Sequence, residues 1–356
     1  MNVMHIISAK TWGGGETAAL SMCKTLQRNG YGVYAVLDGN EKVLRSKFAD
    51  IGFVKHIKMR WGNLWTCIRE LRSLIRDNNI KVIHTHTGRV IPIIIIAMIG
   101  LPVKIIAYRH NAIKNKKDII HRLIYKRIDA FVCVSNFVKS CQEFDMPEWM
   151  KEKFYVVYNG VTDNPDAHVV LEKKTNRDDF VIGYAGRIVE NKGLLYLVKA
   201  FEKISGNNSV LKIAGDDSTE YADKVKQYIE ERKIDKVEWL GYVKDMKGFY
   251  KKIDVMVCPS IVREAFGLSA CEAMYYGVPV ISSNNGAQVE IIDDGVNGML
   301  VDSGSIDGLV LALEKLKDDY AKRVKIGMDG RIKIKTCFTM SKWLENMKNV
   351  YADILK

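Results

Sequence analysis

Two glutamates separated by seven residues are the side chains of this sequence best suited to chemistry. Glu264 and Glu272 flank Phe266–Leu268 and follow the apolar run 255–259, which is typical of a buried strand. A strand that ends in a short loop before a helix would place Glu264 in the loop and Glu272 about two turns into the helix. In an open α/β sheet this edge binds ligands, and helix amides there favour anions. Because carboxylates accept hydrogen bonds, the pair suits a ligand rich in hydroxyl groups.

Two cations form a second candidate group. Arg187 follows Gly186 at the end of an apolar run, and Lys192 lies five residues later, directly before Gly193. Two cations delivered to one place suit a diphosphate, and the glycines allow a ligand to approach the backbone closely. Charges on a solvated loop are the alternative interpretation.

A glycine-rich loop and a histidine indicate further ligand contacts. Gly13–Gly15 follow the first predicted strand and precede a helical pattern, so helix amides could meet a phosphate there; a plain tight turn is the alternative. The spacing matches neither a dinucleotide fingerprint nor a P-loop. His110 follows the predicted strand 104–109, where it could donate to a sugar hydroxyl or a phosphate. His84 and His86 are interpreted as structural histidines.

No metal site is expected. The sequence contains neither a D-x-D triplet nor a His/Cys cluster with metal-ligand spacing. The charge of a diphosphate leaving group would then be neutralised by Arg187, Lys192 and helix amides. This favours metal-independent electrostatic stabilisation of the leaving group.

Chain length and element pattern predict two domains. At 356 residues the chain exceeds the size at which one hydrophobic core usually stops growing. Short β-branched runs alternate with helical patterns throughout, which is typical of parallel sheets with crossover helices. We expect two facing doubly wound domains with an interdomain cleft at the carboxyl ends of both sheets. The predicted segments are residues 1–162 for the first domain, 163–179 for a polar linker, 180–337 for the second domain and 338–356 for a closing amphipathic helix.

The excess positive charge lies in the first half of the chain. Residues 1–162 contain 25 Lys and Arg against 12 Asp and Glu, whereas the remainder contains 29 against 30. This predicts an anionic partner for the first half alone. Segment 114–127 places apolar residues at helical spacing beside a basic face, as in helices that lie on anionic membranes. A helix that faces the core and has a solvated outer side is the alternative.

The expected location follows from two absences in the sequence. No apolar run reaches the roughly 20 residues of a membrane span. The N-terminus lacks the basic region and cleavage site of a signal peptide. We therefore expect a cytoplasmic protein, and segment 114–127 adds the hypothesis of a peripheral position on the inner face of the cytoplasmic membrane.

Five motifs in order resemble the retaining GT-B glycosyltransferases of family 4, the group 1 transferases. They are the loop 13–15, the motif Tyr158–Val161, the loop 185–193, the Glu264-x7-Glu272 pair around Phe-Gly-Leu, and the stretch 284–290. The resemblance covers essentially the whole chain. It implies two facing Rossmann-like domains that close on a nucleotide-sugar, with the acceptor on the first domain and the nucleotide on the second.

The resemblance also implies individual roles. Glu264 would position the donor sugar and Glu272 would bind the ribose hydroxyls. Arg187 and Lys192 would hold the diphosphate as it leaves. The implied catalytic residues are His110, Arg187, Lys192 and Glu264. The implied donor-binding residues are Gly14, Gly15, Arg187, Lys192, Gly215, Tyr242, Val243, Glu264, Ala265, Phe266, Gly267, Leu268 and Glu272, with Ala265 in place of the Pro or Gly often found in the family.

The implied activity is transfer of a sugar with retention of anomeric configuration, by attack on the same face that the diphosphate leaves. A UDP-sugar is the favoured donor, and the acceptor is a glycan or lipid-linked glycan of bacterial surface-polysaccharide synthesis. No cofactor is implied, because the nucleotide-sugar is a substrate. The alternatives are a nucleotide-sugar epimerase of the same fold and a basic polyanion-binding protein. Nucleic acid is not an expected partner, since the sequence contains no recognisable nucleic-acid-binding module.

Overall fold

The computed structural model of the chain describes residues 1–9, 12–39, 41–163, 179–204 and 208–356. The chain divides into two compact units. The first consists of Met1–Thr162 together with Met340–Lys356, and the second of Asp163–Thr339. Residues 164–178, which make up most of the predicted linker, lie outside the described residues.

The first unit contains one parallel sheet. Its strands are β1 (Asn2–Ala9), β2 (Gly32–Gly39), β3 (Phe53–His56), β4 (Ile80–Thr85), β5 (Lys104–Arg109), β6 (Ala130–Cys133) and β7 (Phe154–Val156). Their order in the sheet is β3-β2-β1-β4-β5-β6-β7. The helices between them are α1 (Gly14–Arg28), α2 (Glu41–Lys47), α3 (Leu64–Asp77), α4 (Ile91–Met98), α5 (Ile119–Lys126), α6 (Asn136–Glu143) and α7 (Glu148–Lys151).

The second unit repeats this plan. Its strands are β8 (Phe180–Ala185), β9 (Ser209–Ala214), β10 (Val237–Trp239), β11 (Val255–Cys258), β12 (Val280–Ser283) and β13 (Met299–Val301), in the order β10-β9-β8-β11-β12-β13. Its helices are α8 (Leu194–Ile204), α9 (Glu220–Glu231), α10 (Met246–Tyr250), α11 (Leu268–Tyr275), α12 (Gln288–Ile291), α13 (Ile306–Asp318) and α14 (Tyr320–Cys337). The predicted architecture of two Rossmann-like parallel sheets is confirmed.

The last helix, α15 (Met340–Ile354), belongs to the first unit. Its apolar face is buried, and Trp343 is only 1% exposed. The hydroxyl of Tyr351 lies 2.8 Å from Nε2 of His84, and the hydroxyl of Tyr108 donates to the sulfur of Met347 at 3.2 Å. The helical spacing read from the sequence therefore corresponds to a helix that packs on the first sheet.

The sequence pattern does not predict β3 and β7, because they lie at the edges of the first sheet. β3 and β7 are the edge strands of the first sheet, four and three residues long. Central strands such as β1 are buried on both faces and produce continuous apolar runs. An edge strand needs no such run, and all four residues of β3 are only partly buried.

Within segment 114–127, the apolar residues at helical spacing lie on helix α5. Helix α5 begins after Asp118, whose side chain accepts a hydrogen bond from the amide of His121. Ile119, Ile120 and Leu123 are 76, 70 and 60% exposed. The alternative of a core-facing helix is therefore wrong for these three residues. Among the described residues, no helix is both long and apolar enough to span a membrane.

Candidate active site

The carboxyl edge of the second sheet brings together residues predicted from separate parts of the sequence. β8 leads to Arg187 and β9 to Gly215. β10 leads to Tyr242 and Val243, and β11 leads to Glu264. These four strands are neighbours in the order β10-β9-β8-β11, so the loops that follow them lie side by side.

A lysine and a glutamate form the centre of this edge. Lys192 Nζ lies 2.5 Å from Glu264 Oε1, and the hydroxyl of Ser260 donates to the same oxygen. The side chains of Lys192 and Glu264 are only 24 and 18% exposed. The amide of Ile261 donates to the carbonyl of Asn191 at 3.1 Å and joins the two loops. Because solvent screens this pair less than a surface pair, its attraction is stronger.

The turn after β12 fixes the backbone at Glu264. The amide of Ala287 donates to the carbonyl of Glu264 at 2.8 Å, and Nδ2 of Asn285 donates to the carbonyl of Ser260 at 3.0 Å. Gly286 has a φ of 61°, and a Cβ there would lie 2.3 Å from the carbonyl oxygen of Glu264. Only glycine fits this close approach. Ser260 was not predicted, although its position just after a strand was a signal, whereas Asn285 belongs to the stretch 284–290 that the sequence marks as a turn at a strand end.

The start of helix α11 offers backbone amides. The helix begins at Leu268, and no side chain caps its N-terminus. Nε2 of Gln288 donates to the carbonyl of Phe266 at 2.9 Å and holds the preceding loop. Uncapped amides at a helix N-terminus bind anions or donate hydrogen bonds to ligand oxygens. The role of the Phe266–Leu268 amides as contacts to the donor stays a prediction.

Glu272 lies farther along α11 and is held by a tyrosine. The hydroxyl of Tyr250 donates to Glu272 Oε2 at 3.1 Å. Burial raises the pKa of Glu272 above its ordinary value. Nothing in the sequence marks Tyr250 as a partner, because it belongs to α10 and meets α11 only in the folded chain.

Arg187 and Gly215 lie on the neighbouring loops. The hydroxyl of Tyr184 donates to the carbonyl of Arg187 at 2.9 Å, while the guanidinium is exposed. Within the described ranges, Arg187 forms no ion pair with a carboxylate. A Cβ on Gly215 would lie 2.2 Å from the carbonyl oxygen of Gly186, so Gly215 packs directly against the loop of Arg187.

The arrangement combines two kinds of ligand-binding group. Arg187, Lys192 and the amides of α11 attract a phosphate, while Glu264 and Glu272 accept hydrogen bonds from hydroxyl groups. Across the described part of the chain, no group of three His, Cys, Asp or Glu side chains is arranged to hold a metal ion. Metal independence stays a prediction.

A histidine chain lies at the carboxyl edge of the first sheet. Nδ1 of His86 lies 2.9 Å from Nε2 of His110, and Nε2 of His86 lies 3.0 Å from Nδ1 of His5. A Cβ on Gly15 would lie 3.7 Å from Cγ of His110, so the glycine-rich loop packs against that ring. His86 is hydrogen-bonded through both ring nitrogens, which fits its interpretation as a structural histidine, and one of its partners is His110.

Burial keeps these imidazoles neutral. It lowers the pKa of His110 to about 4 and the pKa of His5, His84 and His86 well below the ordinary value. A neutral imidazole donates through one nitrogen and accepts through the other. The His5–His86 and His86–His110 bonds therefore run in the same direction, which couples the tautomers of the three rings.

Two doubly wound parallel sheets define the class of GT-B proteins, and solved structures agree with this fold. A glycosyltransferase from Rickettsia africae superposes with a TM-score of 0.85 at 21% identity, over 100% of this chain and 98% of that chain. Anabaena Alr3699/HepE in complex with UDP and glucose superposes with a TM-score of 0.81 at 18% identity, over 99% of each chain. At these identities the likeness concerns the fold.

Family models match both parts of the chain. The model described as Glycosyltransferase Family 4 matches residues 12–164, and the model described as Glycosyl transferases group 1 matches residues 170–333. The chain belongs to the family 4, group 1 glycosyltransferases. The capsular polysaccharide biosynthesis glycosyltransferase CapM of Staphylococcus aureus is 32% identical over 191 residues, which are 52% of this chain. The matched region spans about half the length of that relative, or 50% of its residues.

Proposed function

We propose that the protein transfers a sugar from a nucleotide-diphosphate sugar, with a UDP-sugar as the favoured donor, to a glycan or lipid-linked glycan. The observation that carries the proposal is the partly buried Lys192–Glu264 pair, together with the exposed Arg187 on the segment between β8 and α8 that also carries Lys192. Further support comes from HepE, which was solved with UDP and glucose, and from CapM, which serves capsular polysaccharide biosynthesis. Bacterial surface-polysaccharide synthesis is therefore the proposed setting.

The proposed reaction exchanges one bond at the anomeric carbon. The bond from this carbon to the diphosphate oxygen breaks, and a bond to an acceptor hydroxyl oxygen forms on the same face, so the configuration is retained. The acceptor proton passes to the leaving diphosphate. Lys192 and Arg187 stabilise the negative charge that develops on the diphosphate.

Glu264 acts in this proposal as a positioning residue. Its carboxylate is ion-paired with Lys192 and accepts from Ser260, so it is held to accept a hydroxyl of the donor sugar rather than to attack the anomeric carbon. Glu272, held by Tyr250, binds the ribose hydroxyls. The roles of Gly14, Gly15 and His110 as contacts to the donor stay predictions.

Binding and product analysis together test the proposal. A thermal-shift series uses UDP-, GDP- and ADP-sugars, each with and without EDTA. One UDP-sugar should raise the Tm of the protein, and EDTA should not change the size of this increase. Incubation of that donor with a panel of glycan and lipid-linked acceptors, followed by mass spectrometry and NMR, should yield an α- or β-linked product of the donor's own configuration. Turnover of the donor without acceptor would instead support an epimerase. Trapping of a glycosyl group on Glu264 would contradict the positioning role.

We further propose that α5 attaches the protein to an anionic membrane surface. The exposed Ile119, Ile120 and Leu123 support this, together with the basic residues of the same segment. Apolar side chains beside cations suit insertion among acidic headgroups. The proposed location is the inner face of the cytoplasmic membrane.

Vesicle flotation tests the attachment. The protein should float with phosphatidylcholine vesicles that contain phosphatidylglycerol and not with phosphatidylcholine alone, and salt should release it. Leu123→Ser should reduce flotation. Leu311→Ser is the matched control, because Leu311 is 67% exposed on α13 of the second unit. Equal flotation of both variants and the unchanged protein would remove α5 as the attachment site.

A further inference from the structure

A cavity in the first unit lies beside a fixed arginine. It has a volume of about 470 Å³, and its lining residues are Asp38, Gly39, Met59, Arg60, Trp61, Arg89 and Ile93. This volume falls in the range of small-molecule sites, about 300–1,000 Å³. The lining combines two guanidinium groups with an indole and aliphatic side chains.

The arginine is held by two neighbouring strands. Ser8 lies near the end of β1 and Asp38 near the end of β2, while Arg89 follows β4 in a short 3-10 turn. Arg89 Nη2 lies 2.9 Å from Asp38 Oδ2, and Arg89 Nε donates to Ser8 Oγ at 2.9 Å. The amide of Met59 donates to the other oxygen of Asp38 at 3.3 Å. The carboxylate is buried and the guanidinium is thus oriented before any ligand binds.

Part of this guanidinium is left for a ligand. The side chain of Arg89 is 50% exposed, and within the described residues its Nη1 makes no hydrogen bond. Asp38 balances the charge of Arg89, and Arg60 adds an exposed cation without a carboxylate partner in the described ranges. The cavity therefore has a net positive charge and a preoriented donor, which together favour an anionic group.

The indole of Trp61 adds a second requirement that the ligand of this cavity must meet. Trp61 is 64% exposed at the cavity. An exposed aromatic face next to cations suits a ring with an apolar face and polar edges. A sugar ring meets this description, and a phosphate attached to it would reach the arginines.

We propose that this cavity binds the acceptor, and that the acceptor carries a phosphate next to a sugar ring. This inference rests on the proposed glycosyl transfer and names the substrate class on the acceptor side. The turn that carries Arg89 begins after His86, the hydrogen-bond partner of His110. The same chemistry occurs in lipid-diphosphate-linked sugars and in free sugar phosphates, and the experiment separates them.

Calorimetry on the full chain in saturating UDP tests the cavity. The probes are N-acetylglucosamine 1-phosphate, glucose 1-phosphate, galactose 1-phosphate, methyl α-glucoside, inorganic phosphate and farnesyl-diphosphate-linked N-acetylglucosamine. At least one sugar phosphate should bind more tightly than methyl α-glucoside and inorganic phosphate. Tighter binding of the farnesyl compound would identify a lipid-linked acceptor, whereas equal binding would identify a soluble one.

Matched variants assign the binding to this cavity. Arg60→Gln and Trp61→Ala should each weaken sugar-phosphate binding about tenfold. Arg69→Gln and Trp65→Ala should not, because both residues are exposed on α3 and outside the cavity lining. Arg60 and Trp61 are exposed, so folding of these variants is not at risk.

Two results would overturn the inference. One is failure of every sugar phosphate to bind while UDP binds normally. The other is equal loss of binding in the Arg69 and Trp65 variants. Failure of UDP itself to bind would instead count against the proposed function.

Discussion

The ammonium of Lys192 and the carboxylate of Glu264 are bound to each other at 2.5 Å, although 71 residues separate them in the sequence. Each comes from a different loop at the carboxyl edge of the second sheet. The pair places a cation for a phosphate directly beside an acceptor for hydroxyl groups.

Neutralising Lys192 should impair turnover more than folding. In the proposed reaction Lys192→Gln removes a charge that would stabilise the leaving diphosphate, so we expect kcat to fall about a hundredfold or more. Steady-state kinetics with the donor identified by thermal shift provide the measurement. Lys203→Gln is the control, because Lys203 forms an exposed pair with Asp307 in the same unit. Equal activity of the two variants would exclude Lys192 from the reaction.

Gly286 should be required for the position of Glu264. Gly286→Ala places a methyl group against the backbone of Glu264 and should weaken UDP-sugar binding as well as stability. Gly295→Ala is the matched control, because Gly295 has a φ of 71° but no atom within 4 Å of its added Cβ. The control should lose only about 1–2 kcal/mol of unfolding free energy, the cost of a left-handed conformation. Calorimetry with UDP-glucose separates the two, and an unchanged affinity in Gly286→Ala would contradict the prediction.

Glu272 should make donor binding depend on pH. Burial raises its pKa, so acidification protonates it earlier than an ordinary glutamate, and a protonated carboxyl accepts fewer hydroxyl bonds. UDP-glucose affinity should therefore fall as the pH decreases through this raised pKa. Glu272→Gln should bind more weakly at neutral pH and lack that step.

The effect of Glu272→Gln on stability should be opposite to its effect on donor affinity. A raised carboxyl pKa means that the folded state resists ionisation, so this group costs stability progressively as the pH rises from the unfolded pKa to the raised folded pKa, and the full cost is present above it. Glu272→Gln should thus raise Tm at neutral pH. Glu220→Gln, at a position 88% exposed on α9, is the control for both measurements. A lower Tm for Glu272→Gln would show that its bond to Tyr250 outweighs the cost of the buried charge.

The buried histidines should make the protein sensitive to acid. Their folded pKa values lie below the ordinary 6.5, about 4 for His110, so the folded state resists protonation. Stability should be lost as the pH falls from about 6.5 toward 4, by about 1.4 kcal/mol per pH unit for each histidine kept neutral. His84→Gln retains an acceptor for Tyr351. It should reduce the loss of unfolding free energy per pH unit by the contribution of one histidine. Urea unfolding at several pH values measures it, and an unchanged slope would refute the assignment.

The fold was predictable because its signals are local. Buried parallel strands such as β5 and β11 are short apolar runs, and amphipathic helices such as α3 show their own period in the sequence. The edge strands β3 and β7 produce no such run, since they are paired on one side only. In segment 114–127 the apolar residues at helical spacing lie on α5, which Asp118 caps at its N-terminus.

The sequence identified candidate site residues only where charged side chains lie in the segment that follows a predicted strand. Arg187, Glu264 and Glu272 have recognisable neighbours in the sequence. Ser260 and Tyr250 do not, because only the folded structure shows that Ser260 donates to Glu264 within one loop and that Tyr250 donates to Glu272 on another helix.

The sequence by itself determined the two parallel sheets, the residues at their carboxyl ends and the uneven charge. These depend on residue type and on spacing along the chain. The tertiary structure alone decided that Lys192 pairs with Glu264, that His86 bonds His110, and that the apolar side chains of α5 are exposed. Each of these is a contact, or the lack of one, between distant segments, and such relationships arise only when parallel strands bring their ends to one edge.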